Sequence, residues 1–153
     1  MKKKPKLLIV TGNAMKFKEL SSKLVEFFDC EQKTFNEPEI QGMPKEILKH
    51  KLISAYQFFK CPVLVDDISV NFEVLNGFPG PYMKDFLNCF TPYEMGVKFV
   101  GSRIKATCFL GLCRGTNDII ISEGEIEGKV VLPKSKDHQD RYFDLFVQVD
   151  GTN

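Results

Sequence analysis

The chain has 153 residues, and 21 lysine and arginine residues nearly balance 20 aspartates and glutamates, leaving a formal net charge of +1 at pH 7. The near-zero charge argues against a general attraction to nucleic acid or to an anionic membrane surface, and no stretch has the length of a membrane span. Hydrophobic residues make up 43% of the chain and include 14 phenylalanines, so the composition predicts a folded domain and excludes a disordered one.

Five cysteines lie in mostly apolar surroundings, without the spacing of a CxxC pair or of Cys/His metal ligands. They are Cys30, Cys61, Cys89, Cys108 and Cys113. Their odd number, their apolar surroundings and the lack of ligand spacing together predict buried thiols in a reducing compartment. The apolar run at residues 7–10, which follows three lysines, is too short for the hydrophobic region of a signal peptide. We therefore expect a cytoplasmic protein.

The first predicted strand and helix are joined by a short polar turn. Residues 6–11 (KLLIVT) lack alternation, which is typical of a strand buried on both faces, and apolar residues at helical spacing follow from Phe17. The turn between them would present the N-terminus of a helix to an anion, with Gly12 allowing close approach and Lys16 adding charge. The spacing is not that of a Walker loop. An anion site and a turn shaped only by local geometry both remain open.

The next segment predicts a short strand, a loop and a second helix. Residues 33–35 suggest the strand, and residues 36–44 (NEPEIQGMP), which include Glu39, suggest a loop by their proline and glycine content. Pro44 suits the first turn of the helix that follows. Lys51 lies beside the apolar face of this helix, so its ammonium group either reaches to solvent or points into a cleft.

Adjacent carboxylates, Asp66 and Asp67, stand at the centre of the sequence. An apolar run leads into them and an alternating run follows, which predicts a strand, a carboxylate pair and a second strand. Neighbouring ionised carboxylates disfavour each other unless a cation or a hydrogen-bond donor intervenes. Magnesium suits this position because it takes oxygen ligands and is usually held by one or two carboxylates together with substrate phosphates. A pair of solvated turn aspartates is the alternative.

The second half of the chain is predicted to be rich in strands. Asn76-Gly77 indicates a tight turn, and two short helices follow, the second interrupted by Gly96. Four strand-like runs then suggest an antiparallel meander and a returning strand. They are residues 106–113, 119–126, 129–132 and 142–149. With the strand-helix start, this pattern predicts an α/β fold, mixed with α+β character, built on a mixed sheet.

Four motifs, in this order and spacing, resemble those of the inosine triphosphate pyrophosphatase (ITPase) family. They are TGNAMK at 11–16, PEIQG at 38–42, VLVDD at 63–67 and LNGFPGPYMK at 75–84. The resemblance covers nearly the whole chain and is closest to the eukaryotic branch. It implies one ITPase-like domain over residues 1–153, with an elongated central mixed β-sheet, flanking helices and two lobes around an active-site cleft. Maf-like and anticodon-binding proteins share this architecture.

The resemblance also implies an activity. Family members hydrolyse ITP, dITP and XTP to the nucleoside monophosphate and pyrophosphate, which cleanses the nucleotide pool. It implies dependence on Mg2+, with Mn2+ as an alternative, and a homodimer that binds neither nucleic acid nor membrane. By position, Asp67 would orient or deprotonate the attacking water, Asp66 would support it, and three lysines would contact phosphate.

The implied site residues fall into three groups. The catalytic residues would be Asp67, Asp66 and Lys16, and the metal ligands would be Glu39 and Asp67. The substrate-binding residues would be Thr11, Gly12, Asn13, Ala14, Met15, Lys16, Lys51, Asp67, Ile68, Lys84, Arg141, Tyr142, Phe143 and Asp144.

The sequence departs from the family pattern near its end. The family uses an aromatic-Gly-aromatic-Asp run, an Asp-Gly turn, and then a lysine and a Ser-His-Arg signature that read the base. Residues 141–144 (RYFD) match the aromatic-Gly-aromatic-Asp run only in part. The chain ends at Asn153, before the lysine and the Ser-His-Arg signature, so it is predicted to be truncated. Ile68 stands where a small hydroxyl residue is usual. Discrimination between purine bases should weaken, because rejection of the wrong base depends on buried polar groups in the base pocket. The alternatives are a weak or inactive paralogue or truncated isoform that retains nucleotide binding, and an interaction protein.

Overall fold

The computed structural model describes residues 2–133 and 147–151 of the chain. The elements are β1 (Lys6–Val10), α1 (Ala14–Leu24), β2 (Asp29–Lys33), α2 (Pro44–Phe59), β3 (Val63–Phe72), β4 (Pro79–Gly80), α3 (Met83–Leu87), α4 (Pro92–Phe99), β5 (Arg103–Gly115), β6 (Asp118–Val130) and β7 (Val147–Val149). A short 3-10 helix, Glu73–Leu75, follows β3. This order confirms the predicted mixed α/β class with helices flanking a sheet.

Within the described residues the strands form one seven-stranded sheet in the order β2-β1-β3-β5-β6-β7, with β4 paired to β3 outside this path. Strand β1 pairs in parallel with both β2 and β3, whereas β6 and β7 are antiparallel, so the sheet is mixed as predicted. Because β1 has helices over both faces, its residues are buried on both sides: Leu8 packs into one apolar cluster, and Leu7 and Ile9 pack into another.

The contacts within the chain define two compact units. The first unit comprises Met1–Asp67 and Phe109–Glu123, and the second comprises Ile68–Cys108 and Gly124–Asn153. The boundaries fall within the three longest strands, β3, β5 and β6, so each of these strands contributes residues to both units.

The first unit has a core on each face of its strands. On one face, helix α2 inserts Leu48, Leu52 and Ala55 among residues of β1, β3 and β5. A Cβ atom at Gly111 would lie 2.4 Å from Leu52 Cδ1, so the glycine lets α2 approach β5 closely. On the other face, α1 covers a cluster centred on Leu7, Ile9 and Leu64. Helix α2, which carries Lys51, is therefore fixed by buried residues, and helix α1, which carries Lys16, packs on the sheet through partly buried ones.

The core of the second unit is built around aromatic side chains. Phe72 is fully buried, and its ring meets those of Phe86 and Phe99 edge to face at centroid distances of 5.7 and 5.4 Å. Helix α4 continues through Gly96. Glycine is needed there because a Cβ atom at that position would lie 2.4 Å from Pro133 Cδ. The glycine that weakened the helix prediction is thus required by packing.

Two predicted strand boundaries were wrong. The strand predicted at residues 33–35 is β2, Asp29–Lys33, because it pairs in register with all of β1 from Lys6↔Asp29 to Val10↔Lys33. The strands predicted at 119–126 and 129–132 are a single strand, β6. Gly128 does not interrupt it, because a Cβ atom there would lie 2.4 Å from the Gln148 carbonyl oxygen, and glycine allows β7 to pair closely.

The central carboxylates also differ from the prediction. Asp66 and Asp67 lie inside β3, which continues without a break to Phe72, so they do not separate two strands. The turn at Asn76-Gly77 is confirmed by positive φ values of 53° and 92°, which asparagine and glycine adopt most readily. Asn71 Nδ2 stabilises this turn by donating to the Gly77 carbonyl oxygen at 2.9 Å.

All five cysteines lie in the described residues and are free thiols, but they are not uniformly buried. Cys113 is buried and Cys30 and Cys61 are partly buried, whereas Cys89 and Cys108 are exposed. Cys108 is exposed because it occupies an outward position in the alternating pattern of β5. No helix in residues 2–133 and 147–151 combines the length and apolar character needed to cross a bilayer.

Candidate functional site

The turn between β1 and α1 is held in place by side-chain hydrogen bonds. Asn13 Oδ1 caps α1 by accepting from the backbone N–H groups of Met15 at 3.0 Å and Lys16 at 3.1 Å. Thr11 Oγ1 accepts from the Asn13 N–H at 3.1 Å, and the Thr11 carbonyl oxygen accepts from Gln32 Nε2 at 3.0 Å. The turn thus presents the positive end of the α1 dipole, together with Lys16, in a fixed orientation.

Gly12 is not required by the local fold. Its φ lies outside the left-handed range, and a Cβ atom built on it would meet none of the described atoms within 4 Å. In contrast to Gly96, Gly111 and Gly128, the glycine here is not in close contact with any of the described atoms. The close approach of a phosphate to Gly12 stays a prediction, as does the alternative of a turn shaped only by local geometry.

Asp66 and Asp67 point to opposite faces of β3, because successive side chains in a strand alternate. Leu64 shares its face with Asp66 and packs under α1, whereas Val65 shares its face with Asp67 and packs under α2. Each carboxylate consequently meets a lysine from a different helix. The repulsion expected between adjacent carboxylates is relieved by two separate ammonium groups and does not demand a shared metal ion.

The lysine contacts are short and partly shielded. Lys16 Nζ lies 2.9 Å from Asp66 Oδ2, with side chains 26% and 14% exposed. Lys51 Nζ lies 3.1 Å from Asp67 Oδ2 and also contacts Glu39 Oε1. Of the two arrangements that the sequence left open for Lys51, the structure shows the one in which the side chain points inward to carboxylates.

The Lys51 ammonium group is held in its charged form. Burial alone would lower the pKa of Lys51, but hydrogen bonds and charge attraction from Glu39 and Asp67 outweigh it and raise the pKa above its ordinary value.

Of the three carboxylates in this region, those of Glu39 and Asp67 are placed to share a magnesium ion. Within the described ranges, no group of three or more His, Cys, Asp and Glu side chains could hold a metal. Glu39 and Asp67, however, converge on the same ammonium group, and two carboxylates suffice for Mg2+ when phosphates and water complete its coordination. Asp66 faces α1 and stands apart from this pair. The donor set of Glu39 and Asp67 therefore fits the predicted ion.

Most of the predicted site residues lie in the first unit, where contacts join Lys16 to Asp66 and Lys51 to both Glu39 and Asp67. The residues from Thr11 to Lys16, with Glu39, Lys51, Asp66 and Asp67, all belong to the first unit. Ile68, 45% exposed, and Lys84, exposed on α3, belong to the second unit. Arg141, Tyr142, Phe143 and Asp144 lie outside the described residues, and their assignment to the base stays a prediction.

One supporting residue was missed from the sequence. Gln32 holds the carbonyl oxygen of Thr11, and the Thr11 N–H donates to the Lys33 carbonyl oxygen at 2.9 Å. The strand that carries Gln32 was hard to recognise in the sequence, because residues 29–33 (DCEQK) contain few strand-forming side chains and resemble a polar connection.

Comparisons with known proteins agree with this description. Residues 7–153 match the model of the Ham1 family. The chain is 36% identical over 132 residues to an inosine triphosphate pyrophosphatase of Schizosaccharomyces pombe, covering 84% of this chain and 70% of the relative. It is 34% identical over 155 residues to an inosine triphosphate pyrophosphatase of Encephalitozoon intestinalis, covering 97% and 78%. A solved HAM1 protein from Coxiella burnetii shares the fold, with a TM-score of 0.74, 18% identity, and coverage of 94% of this chain and 81% of that one.

Proposed function

The chain belongs to the Ham1 family, and from this we propose that it hydrolyses deaminated purine nucleoside triphosphates. The substrates are ITP, dITP and XTP, and the products are the nucleoside monophosphate and pyrophosphate. The relatives named inosine triphosphate pyrophosphatase, which are 36% and 34% identical to this chain, support this reaction. Nothing in these relatives favours an inactive paralogue or an interaction protein.

The observation that carries the proposal is the contact of Lys51 with both Glu39 and Asp67, beside the capped turn of α1. Displacement at a phosphate needs positive charge on the phosphate oxygens and a carboxylate that can orient a water molecule. Lys16 and Lys51 supply the charge, and the turn that includes Gly12 adds the positive end of the α1 dipole. These groups all lie in the first unit.

The carboxylates have distinct roles in this proposal. Asp67 orients the attacking water and accepts its proton, while Asp66 holds Lys16 toward the phosphate-binding turn. Glu39 and Asp67 would hold Mg2+, or Mn2+ in its place, which neutralises charge on the phosphate oxygens and makes bound water more acidic. Lys51 and Lys84 contact phosphate, and Arg141, Tyr142, Phe143 and Asp144 contact the base.

We also propose that the protein acts as a cytoplasmic homodimer. The free thiols of all five cysteines, which lie within the described residues, support a reducing compartment. Light scattering of the purified protein should give the mass of a dimer, and a monomer mass at micromolar concentration would contradict this part of the proposal.

The function is tested by measuring pyrophosphate release from ITP, XTP, ATP and GTP at neutral pH, with Mg2+ and with a chelator. We expect release from ITP and XTP that stops when the chelator is added. Equal release from all four nucleotides would show that the base is not read. Release of orthophosphate in place of pyrophosphate would contradict the proposed bond cleavage.

A further inference from the structure

The Lys51 ammonium group stands between two carboxylates that the proposed function assigns to a metal ion. It lies 3.1 Å from Asp67 Oδ2 and contacts Glu39 Oε1 as well. The Lys51 side chain is 26% exposed and that of Asp67 is 21% exposed, so water only partly screens this pair. A divalent cation bound to the same oxygens would meet the ammonium group at a distance where like charges repel.

We propose that Lys51 is an exchangeable counter-ion, which occupies the carboxylates of Glu39 and Asp67 and competes directly with a divalent cation for them. The inference rests on the proposed function and adds that the Lys51 ammonium group leaves the two carboxylates when a divalent cation binds them. An ammonium group on a flexible four-carbon stem can leave its partners without movement of the backbone. Its helix stays in place, because the adjoining Leu48 and Leu52 are fully buried.

The second lysine of the site provides an internal contrast. Lys16 pairs with Asp66 on the face of β3 that packs under α1, away from the face that carries Asp67. Asp66 is not among the proposed metal ligands. Competition with a divalent cation should therefore be a property of Lys51 and not of every cation in this region.

Competition predicts that removal of the Lys51 charge strengthens metal binding in the absence of nucleotide. Calorimetric titration of the full chain with Mn2+ should give an affinity for Lys51→Met on the order of tenfold higher than for the unsubstituted protein. Lys45→Met is the matched control, because Lys45 lies on the same helix and pairs at 3.6 Å with the surface carboxylate of Glu123. This control should bind Mn2+ with unchanged affinity.

Thermal unfolding shows whether the Lys51 variants fold and gives a second measure of Mn2+ binding. Thermal unfolding of Lys51→Met and of Lys51→Gln, followed by circular dichroism, should show a larger rise in Tm on addition of Mn2+ than the unsubstituted protein shows, because a ligand stabilises the state that binds it. The variants Glu39→Gln and Asp67→Asn should each lose the Mn2+ signal.

Three results would overturn the inference. Equal or weaker Mn2+ binding by Lys51→Met and Lys51→Gln would exclude competition, as would the absence of Mn2+ binding by all forms. Unchanged binding by Glu39→Gln and Asp67→Asn would place the ion elsewhere. Pyrophosphate release from ITP is measured separately on the unsubstituted protein, so failure of the inference is distinguishable from failure of the proposed function.

Discussion

Asp66 and Asp67 are bonded neighbours in β3, yet they belong to different salt bridges, one with Lys16 of α1 and one with Lys51 of α2. The alternation of the strand places them on opposite faces, so a single dipeptide connects the two helices that frame the candidate site. The dipeptide therefore joins the α1 turn and Lys16 on one side to the cluster of Asp67, Glu39 and Lys51 on the other.

Loss of the Lys16 charge should weaken catalysis without unfolding the protein. In Lys16→Met, we expect kcat/KM for ITP to fall by about 100-fold, because the variant lacks the charge that we propose to contact the phosphates in the transition state. Lys18→Met, at an exposed position of the same helix, is the control and should keep the original rate. A similar loss in both variants would point to a general electrostatic effect of α1.

Gly12 and Gly111 should respond in opposite ways to alanine. A Cβ atom at Gly12 meets none of the described atoms within 4 Å, so Gly12→Ala should change the free energy of unfolding by less than about 0.5 kcal/mol while lowering kcat/KM. Denaturant unfolding and initial rates of pyrophosphate release measure the two effects. Full activity in Gly12→Ala would remove the argument that its open space admits a phosphate.

Gly111→Ala should destabilise the protein, because the new Cβ atom would lie 2.4 Å from Leu52 Cδ1 in the core beneath α2. Overpacking of this kind costs about 1–3 kcal/mol, which denaturant unfolding can measure. A variant as stable as the original would mean that α2 shifts without cost, and that the helix does not hold Lys51 in a fixed place.

The Glu31 carboxylate should give a distinctive acid dependence. Hydrogen bonds from Lys33 and Lys6 lower the pKa of Glu31 to about 2. Because the folded-state pKa is depressed, the stabilisation is present above the ordinary glutamate pKa and is lost as the pH falls toward about 2. The difference in Tm between the original protein and Glu31→Gln should therefore be small, because the group is exposed, and should vanish between about pH 4.3 and pH 2. A constant difference over this range would contradict the shift.

The sequence predicted the class of the fold and much of the first unit. The unbroken apolar run of β1 and the polar turn before Phe17 signalled the strand-turn-helix, and the motifs included Lys16 and the central carboxylates. Lys51 was singled out by its place beside the apolar face of the second predicted helix. Local patterns could not show that Asp66 and Asp67 lie within a continuous strand, because a pair of charges in a strand becomes favourable only through partners distant in sequence. Lys51 lies 16 residues from Asp67 and on another element.

Two glycines also show that local sequence patterns cannot predict features that depend on tertiary contacts. Gly96 and Gly128 predicted interruptions, and both instead lie inside regular elements, where contacts with Pro133 and Gln148 leave no room for a Cβ atom. Only tertiary packing explains these residues, since intrinsic propensity disfavours them at both positions. The strand β2 was displaced in the prediction for a related reason: its polar residues gain their strand conformation from pairing with β1.

The most direct test of this account is ITP hydrolysis by the unsubstituted protein, by Asp67→Asn and by Asp118→Asn, with IMP and pyrophosphate quantified at neutral pH in Mg2+. Asp118 is a suitable control because it forms an exposed salt bridge with Arg114. We predict equal amounts of IMP and pyrophosphate from the unsubstituted protein and from Asp118→Asn, and a rate lower by about 1,000-fold in Asp67→Asn. An undiminished rate in Asp67→Asn, or no product from the unsubstituted protein, would contradict the account.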